Sequence, residues 1–278
     1  MFVINAPRKS RPRLAAGRAR VLGLPTRGTT NPNRLRRMDN WITATLGGAL
    51  RAVEAPLVVD LGFGASPITS IELAARLQRV CPDVRVLGLE LDPMRVATAL
   101  PAAAPPRLTF ARGGFEFAAH RPDLVRAANV LRQYDEDAAA EAWTRMRAGL
   151  APGGLIVEGT SDELGRLAGW VLLDASGPVS LTLACRVESL VRPGDLAERL
   201  PKLLIHRNVP GQPIHAFLSD LDAAWDAAAA LAPFGRRQRW IAACTGLQDR
   251  WPVRTDRARH GELTVAWPAI APVLPVRR

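Results

Sequence analysis

The sequence predicts an α/β protein: a seven-stranded, mostly parallel sheet with one antiparallel strand, helices on both faces, an N-terminal helix and a C-terminal extension. Three observations carry this. Residues 57–67 read as strand, glycine turn and helix start. Short apolar stretches then alternate with helical periodicity as far as residue 159. Two further strands, near 169–174 and 179–187, flank the cluster Asp174-Ala175-Ser176-Gly177-Pro178, short enough for an antiparallel hairpin.

The elements follow in order. Thr29, Thr30, Asn31 and Pro32 look like a helix start, and Leu35, Met38, Trp41, Ile42 and Leu46 recur helically, so a capping helix is expected over 33–52, packed beside the sheet. Arg34, Arg36 and Arg37 fall on it, read as a solvated face before a substrate-facing one. The first strand, 57–61, carries Asp60 near its end. Gly62 and Gly64 permit a tight turn and a close ligand approach, since neither has a Cβ. Ser66 suits a helix N-cap and Pro67 the first helical position. Residues 68–80 then show an apolar helical face, broken at Cys81-Pro82-Asp83.

The second strand, 84–90, ends in Glu90, and Asp92 starts the next helix. An acid at the tip of the second strand of a nucleotide-binding α/β sheet can accept both ribose hydroxyls. Strands at 107–111, 123–130 and 154–159 complete the parallel part, with a helix over 135–150 between the last two. A ligand belongs at the carboxyl ends of the first, second and fourth strands, where Asp60, Glu90 and Asn129 fall.

The turn excludes two phosphate cradles. A dinucleotide fingerprint wants a third glycine where Pro67 stands, and the acid before the loop would repel phosphate; a P-loop needs a lysine that is absent. The pattern Asp60-x-Gly62-x-Gly64-x-Ser66 instead resembles the first motif of the class I S-adenosylmethionine-dependent methyltransferases, with Ser66 in place of the third glycine. The Pro152-Gly153-Gly154 turn between helix and strand resembles a second signature of that family. The matches span roughly residues 40–187.

The resemblance implies S-adenosylmethionine as cofactor, whose ammonium and sulfonium suit a neighbouring acid. It places Asp60, Gly62, Phe63, Gly64, Ser66, Glu90, Leu91 and Asn129 against it, with Gly114 and Phe115 as the adenine wall and Glu116 near the adenine amino group. The fourth-strand tip reads Asn129-Val130-Leu131-Arg132-Gln133-Tyr134, not the [DN]-P-P-[FYW] of enzymes that methylate adenine or glutamine amino groups. No catalytic base is identifiable; Arg132 and Tyr134 are the candidates for substrate contact.

Composition bounds the rest. The chain has 278 residues, 48% hydrophobic, enough for a full core, and no apolar run long enough to span a bilayer. The start lacks the apolar core of a signal peptide, and Cys81, Cys185 and Cys244 are scattered and odd in number, so a reducing cytoplasm is expected and a disulfide frame is not. Neither these nor His120, His206, His215 and His260 have metal-ligand spacing. The net charge of +11 is concentrated at the two ends, with ten basic residues and no acid in 1–37.

Residues 1–27 therefore read as a basic, flexible arm, 28–56 as the capping-helix region, 57–187 as the methyltransferase core and 188–278 as a helical extension packed on it. Helices are expected over 195–206 and 218–232, and one more strand over Gly261 to Trp267. Trp240 and Leu247 read as core positions of a short helix before a stacking surface for nucleic acid. The acceptor stays open between a small molecule and RNA, with the basic ends favouring an anionic one. The alternative from another class is a non-catalytic nucleic-acid-binding protein on the same fold.

Overall fold

The computed structural model describes residues 31–273; the basic arm expected over 1–27 lies outside them. A turn at 32–35 leads into helix α1 (Arg36–Arg51). There follow β1 (Leu57–Leu61), α2 (Ile68–Gln78), β2 (Arg85–Glu90), α3 (Pro93–Ala99), β3 (Leu108–Arg112), β4 (Leu124–Ala128), α4 (Glu136–Ala148) and β5 (Leu155–Ser161). These strands form a parallel array in the order β3-β2-β1-β4-β5. The chain then reverses into β6 (Leu167–Leu173) and β7 (Pro178–Cys185), the expected hairpin.

Here the sheet departs from expectation. It has nine strands among the described residues, and four of its pairings are antiparallel. The additional strands, β8 (Val253–Arg254) and β9 (Glu262–Ala266), come from the C-terminal part, where β9 pairs with β7. That pairing covers the open hydrogen-bonding edge β7 would otherwise present to solvent. The C-terminal part thus supplies strands as well as helices α5 (Lys202–Ile205), α6 (Pro213–Ala227), α7 (Arg236–Thr245) and α8 (Trp267–Ile270). The single helix expected over 195–206 is a 3-10 stretch, Pro193–Arg199, then the short α5, divided at Pro201. The helix expected over 218–232 begins earlier, with Pro213 at its first position, and passes into 3-10 geometry at Ala228.

Alternation along the strands sorts the core into two layers. Val58, Val86, Leu124 and Trp170 face α1 and α2, where Trp41 meets Trp170 edge-on at 5.6 Å between ring centroids. Val59, Leu61, Val125, Ala127 and Ile156 face the other way, onto α4 and the C-terminal helices. Trp240 is fully buried there, a core residue and no stacking platform. Arg239 lays its guanidinium 4.2 Å over the Trp225 ring, so that aromatic is satisfied within the chain.

Several inward strand positions are charged, Asp60 and Arg126 among them. Asp60 shares the α1–α2 face with Val58, and its register partner Arg126 lies beside it on β4. Asp39, from α1, closes on Arg126 from above, and Arg76, from α2, reaches Asp39 at 2.7 Å. The N-terminal helix is thereby fixed to the sheet by ion pairs as well as by its apolar stripe.

Candidate functional site

The turn after β1 is built as its glycines require. Gly62 has φ +72° and donates its amide to Leu89 O at 2.7 Å; a Cβ there would stand 2.9 Å from Val130 Cγ2. Gly64 has φ +82°, and its amide donates to Glu90 Oε2 at 2.9 Å. The turn is therefore tied to the tip of β2 twice, once through the main chain and once through the Glu90 carboxylate. Glu90 Oε1 accepts the Leu91 amide at 2.9 Å, and Arg95 approaches Oε2 at 3.6 Å. Asp92 caps α3, accepting the Met94 amide at 2.9 Å, which turns the chain away just past Glu90.

The loop after β3 closes one side. Gly113 donates to Glu90 O at 3.2 Å and Gly114 to Glu116 Oε1 at 3.1 Å, so Glu116 is bonded to its own loop. Gly114 is buried; a Cβ there would come within 3.0 Å of Glu116 Oε2 and 3.2 Å of Leu91 Cδ2. Phe115 packs edge-on against Tyr134, ring centroids 5.7 Å apart. Burial, and then the negative charge of Glu90, raise the Tyr134 hydroxyl above its ordinary value, so it stays a protonated phenol at neutral pH. The structure thus brings Gly64, Glu90, Leu91, Gly114, Phe115 and Tyr134 together at the carboxyl end of the parallel strands.

Other expected site residues are used differently. Asp60 is closed to solvent: its carboxylate accepts from Ser70 Oγ at 2.6 Å and Arg126 Nε at 3.0 Å. There it balances a buried guanidinium. Phe63 turns its ring into the core, edge-on to Phe110 at 5.3 Å, so only its main chain borders the turn. Ser66 accepts a long bond from Ile68 N at 3.4 Å, and the cap position of α2 falls on Pro67 instead. Asn129, at φ +61°, accepts the Ser161 amide at 3.0 Å and so joins the tips of β4 and β5. Arg132 is exposed on the 3-10 turn after β4, near enough to Arg34 for the two charges to oppose each other.

Arg34 and Arg37 both donate to main-chain carbonyls. Arg34 donates to the carbonyls of Ser161 and Asp162, both at 3.0 Å. Arg37 donates to those of Gly165 at 3.1 Å and His260 at 3.2 Å. They clamp the β5–β6 turn to α1. Sequence reasoning missed Arg126, Asp39 and Arg76 altogether. The available signal was an arginine inside the apolar strand Leu124-Val125-Arg126-Ala127-Ala128 and an aspartate inside the apolar stripe of α1.

No family model matches the chain, and no curated protein matches it. Similarity is found among solved structures. Magnesium protoporphyrin IX methyltransferase from Synechocystis PCC 6803 is 20% identical over 45% of this chain and 53% of its own, with a TM-score of 0.36. Human N-acetylserotonin methyltransferase is 20% identical over 50% and 43%, with a TM-score of 0.32. The putative methyltransferase of Haloferax volcanii in complex with the Trm112 activator is 25% identical over 46% and 56%, with a TM-score of 0.33. The chain spans about half the length of each of these proteins.

Proposed function

We propose that this chain is an S-adenosylmethionine-dependent methyltransferase whose acceptor carries an anionic group. The observation that supports it most is the Glu90–Gly64 contact. A carboxylate at the tip of β2 is held at 2.9 Å against the amide of a left-handed glycine, beside a loop where a Cβ on the buried Gly114 would crowd Glu116 and Leu91. A carboxylate acceptor, a glycine turn and an aromatic ring are groups that suit an adenosyl moiety, and the residues present fit it. Glu90 would take the ribose hydroxyls, Gly62 to Gly64 the turn nearest the methionine portion, and Leu91, Gly114 and Phe115 the adenine.

Bound there, the cofactor would supply an activated methyl group on its sulfonium. The chain's own task is then alignment and exclusion of water. Tyr134, held protonated beside Glu90, is suited to donate a hydrogen bond to an acceptor, and Arg132 on the same turn to attract its charge. No catalytic base is assigned: a nucleophile already unprotonated at neutral pH needs none.

Calorimetric titration with S-adenosylmethionine tests the reading. The wild type should bind, Glu90→Ala should lose at least about tenfold in affinity, and Glu90→Gln should fall between them. A wild type with no measurable binding ends the proposal. Asp60→Ala, the obvious substitution from sequence alone, strips Arg126 of a partner and would be read first as a loss of stability.

A further inference from the structure

An open, solvent-facing concavity of about 560 Å³ lies on the same edge of the sheet, beyond the tip of β5. Arg36, Arg37, Arg166, Arg186 and Arg237 line it, with Glu188. They come from four separate places: the first turn of α1, the β5–β6 turn, the chain just after β7 and the first turn of α7. Arg37 is held by the Gly165 and His260 carbonyls, and Arg237 pairs with the Glu188 carboxylate. Arg36, Arg166 and Arg186 are exposed and make no ion pair among the described residues.

This cluster is not a by-product of an arginine-rich composition. Residues 38–235, which supply Arg166, Arg186 and Glu188, hold 18 basic against 23 acidic side chains. Gathering five guanidiniums around one carboxylate opposes folding through repulsion, which an anionic ligand would relieve. Guanidinium forks match the oxygens of phosphate in pairs. The edge is continuous with the cofactor cradle: Ser161, at the tip of β5, is bonded to Asn129 at the tip of β4.

We propose that this pocket binds phosphate groups, and that its ligand carries at least two phosphate charges. That the ligand is the methyl acceptor rests on the function proposed above; its affinity for phosphate does not.

The test uses the full chain at fixed ionic strength, with inorganic pyrophosphate in calorimetry and a labelled single-stranded RNA of about ten nucleotides in anisotropy. The double variant Arg166→Gln/Arg186→Gln should lose at least about tenfold for whichever probe the pocket takes. The control Arg79→Gln/Arg107→Gln removes the same charge from exposed positions at the opposite, amino edge and should change affinity by less than about twofold. Loss confined to pyrophosphate identifies a small phosphorylated ligand; loss of RNA binding identifies a nucleic acid backbone. Equal weakening by both double variants, unchanged binding in the pocket variant, or a wild type that binds neither probe overturns the proposal. Titration of the same proteins with S-adenosylmethionine separates the two readings: pocket-dependent phosphate binding without cofactor binding keeps the pocket and removes the acceptor.

Discussion

Asp60 on β1 and Arg126 on β4 are register partners, and their side chains meet at 2.7 Å with almost no exposure on either side. The second arm of Arg126 reaches Asp39 of α1, and its Nη2 also donates to Thr69 O at 3.0 Å, at the start of α2. Burial works against the guanidinium's charge, but Asp39 and Asp60 outweigh it and hold Arg126 protonated above its ordinary value. One side chain of β4 thus joins α1 to the two elements that flank the glycine turn, β1 and α2.

Arg126→Met should therefore destabilise the protein by about 3–5 kcal/mol, because two buried carboxylates are left without their main counter-charge. The triple change Asp39→Asn/Asp60→Asn/Arg126→Met removes the uncompensated charges and should recover most of that loss. Urea denaturation measures both; a single variant within about 1 kcal/mol of wild type would show that the network is not needed.

The parallel half of this fold was legible in the sequence because its signals are local. A strand reads as a β-branched run, a turn as glycines, a helix as its period, and Asp135 caps α4 from where it stands in the chain. The tip of β2 could be found for the same reason. What stayed hidden was pairing at long range. Val253 and Arg254 are too short a strand to announce themselves, and exist only because β9 offers them an edge. Asp60 looked like a ligand residue because nothing near it in the sequence names Arg126 as its partner. The arginine pocket was invisible for the same reason, since its five side chains come together only when α1, β6, β7 and α7 do.

Gly62→Ala meets two obstacles at once, a backbone at φ +72° and Val130 Cγ2 at 2.9 Å. A loss of about 1–2 kcal/mol is expected, with a larger fractional loss in S-adenosylmethionine affinity. Adding Val130→Ala removes the clash but leaves the dihedral strain. The pair should therefore couple favourably in a double-mutant cycle, and strict additivity would show that Val130 does not press on the turn.

Gly159 and Gly153 separate close approach from backbone strain. A Cβ on Gly159 would lie 2.2 Å from Gly169 O on the neighbouring strand, an atom that cannot move without opening β5 from β6. A Cβ on Gly153, at φ +78°, would meet nothing within 4 Å among the described residues. Gly159→Ala should cost more than about 3 kcal/mol or prevent folding, and Gly153→Ala about 1 kcal/mol. Thermal melts rank them, and a reversed order would place the steric contact elsewhere.

Glu158 gives the stability a pH dependence of definite sign. It lies on β5 facing α4, where Trp143 Nε1 donates to Oε2 at 3.2 Å and Oε1 has no hydrogen-bond partner among the described residues. Burial pushes its carboxyl up to about 8, with the Trp143 bond acting weakly in the other direction. The folded protein therefore keeps a proton that the unfolded chain releases near its ordinary value of 4.5. Between those values the folded state binds more protons, so stability is full below the lower one and falls as pH rises towards 8, by up to about 1.4 kcal/mol per pH unit. Glu158→Gln keeps the acceptor for Trp143 and cannot ionise. Its unfolding free energy should match wild type near pH 4.5 and exceed it increasingly up to pH 8, with no further divergence above. Urea titrations at half-unit steps resolve the two curves; if they run parallel, the buried carboxyl does not govern the response.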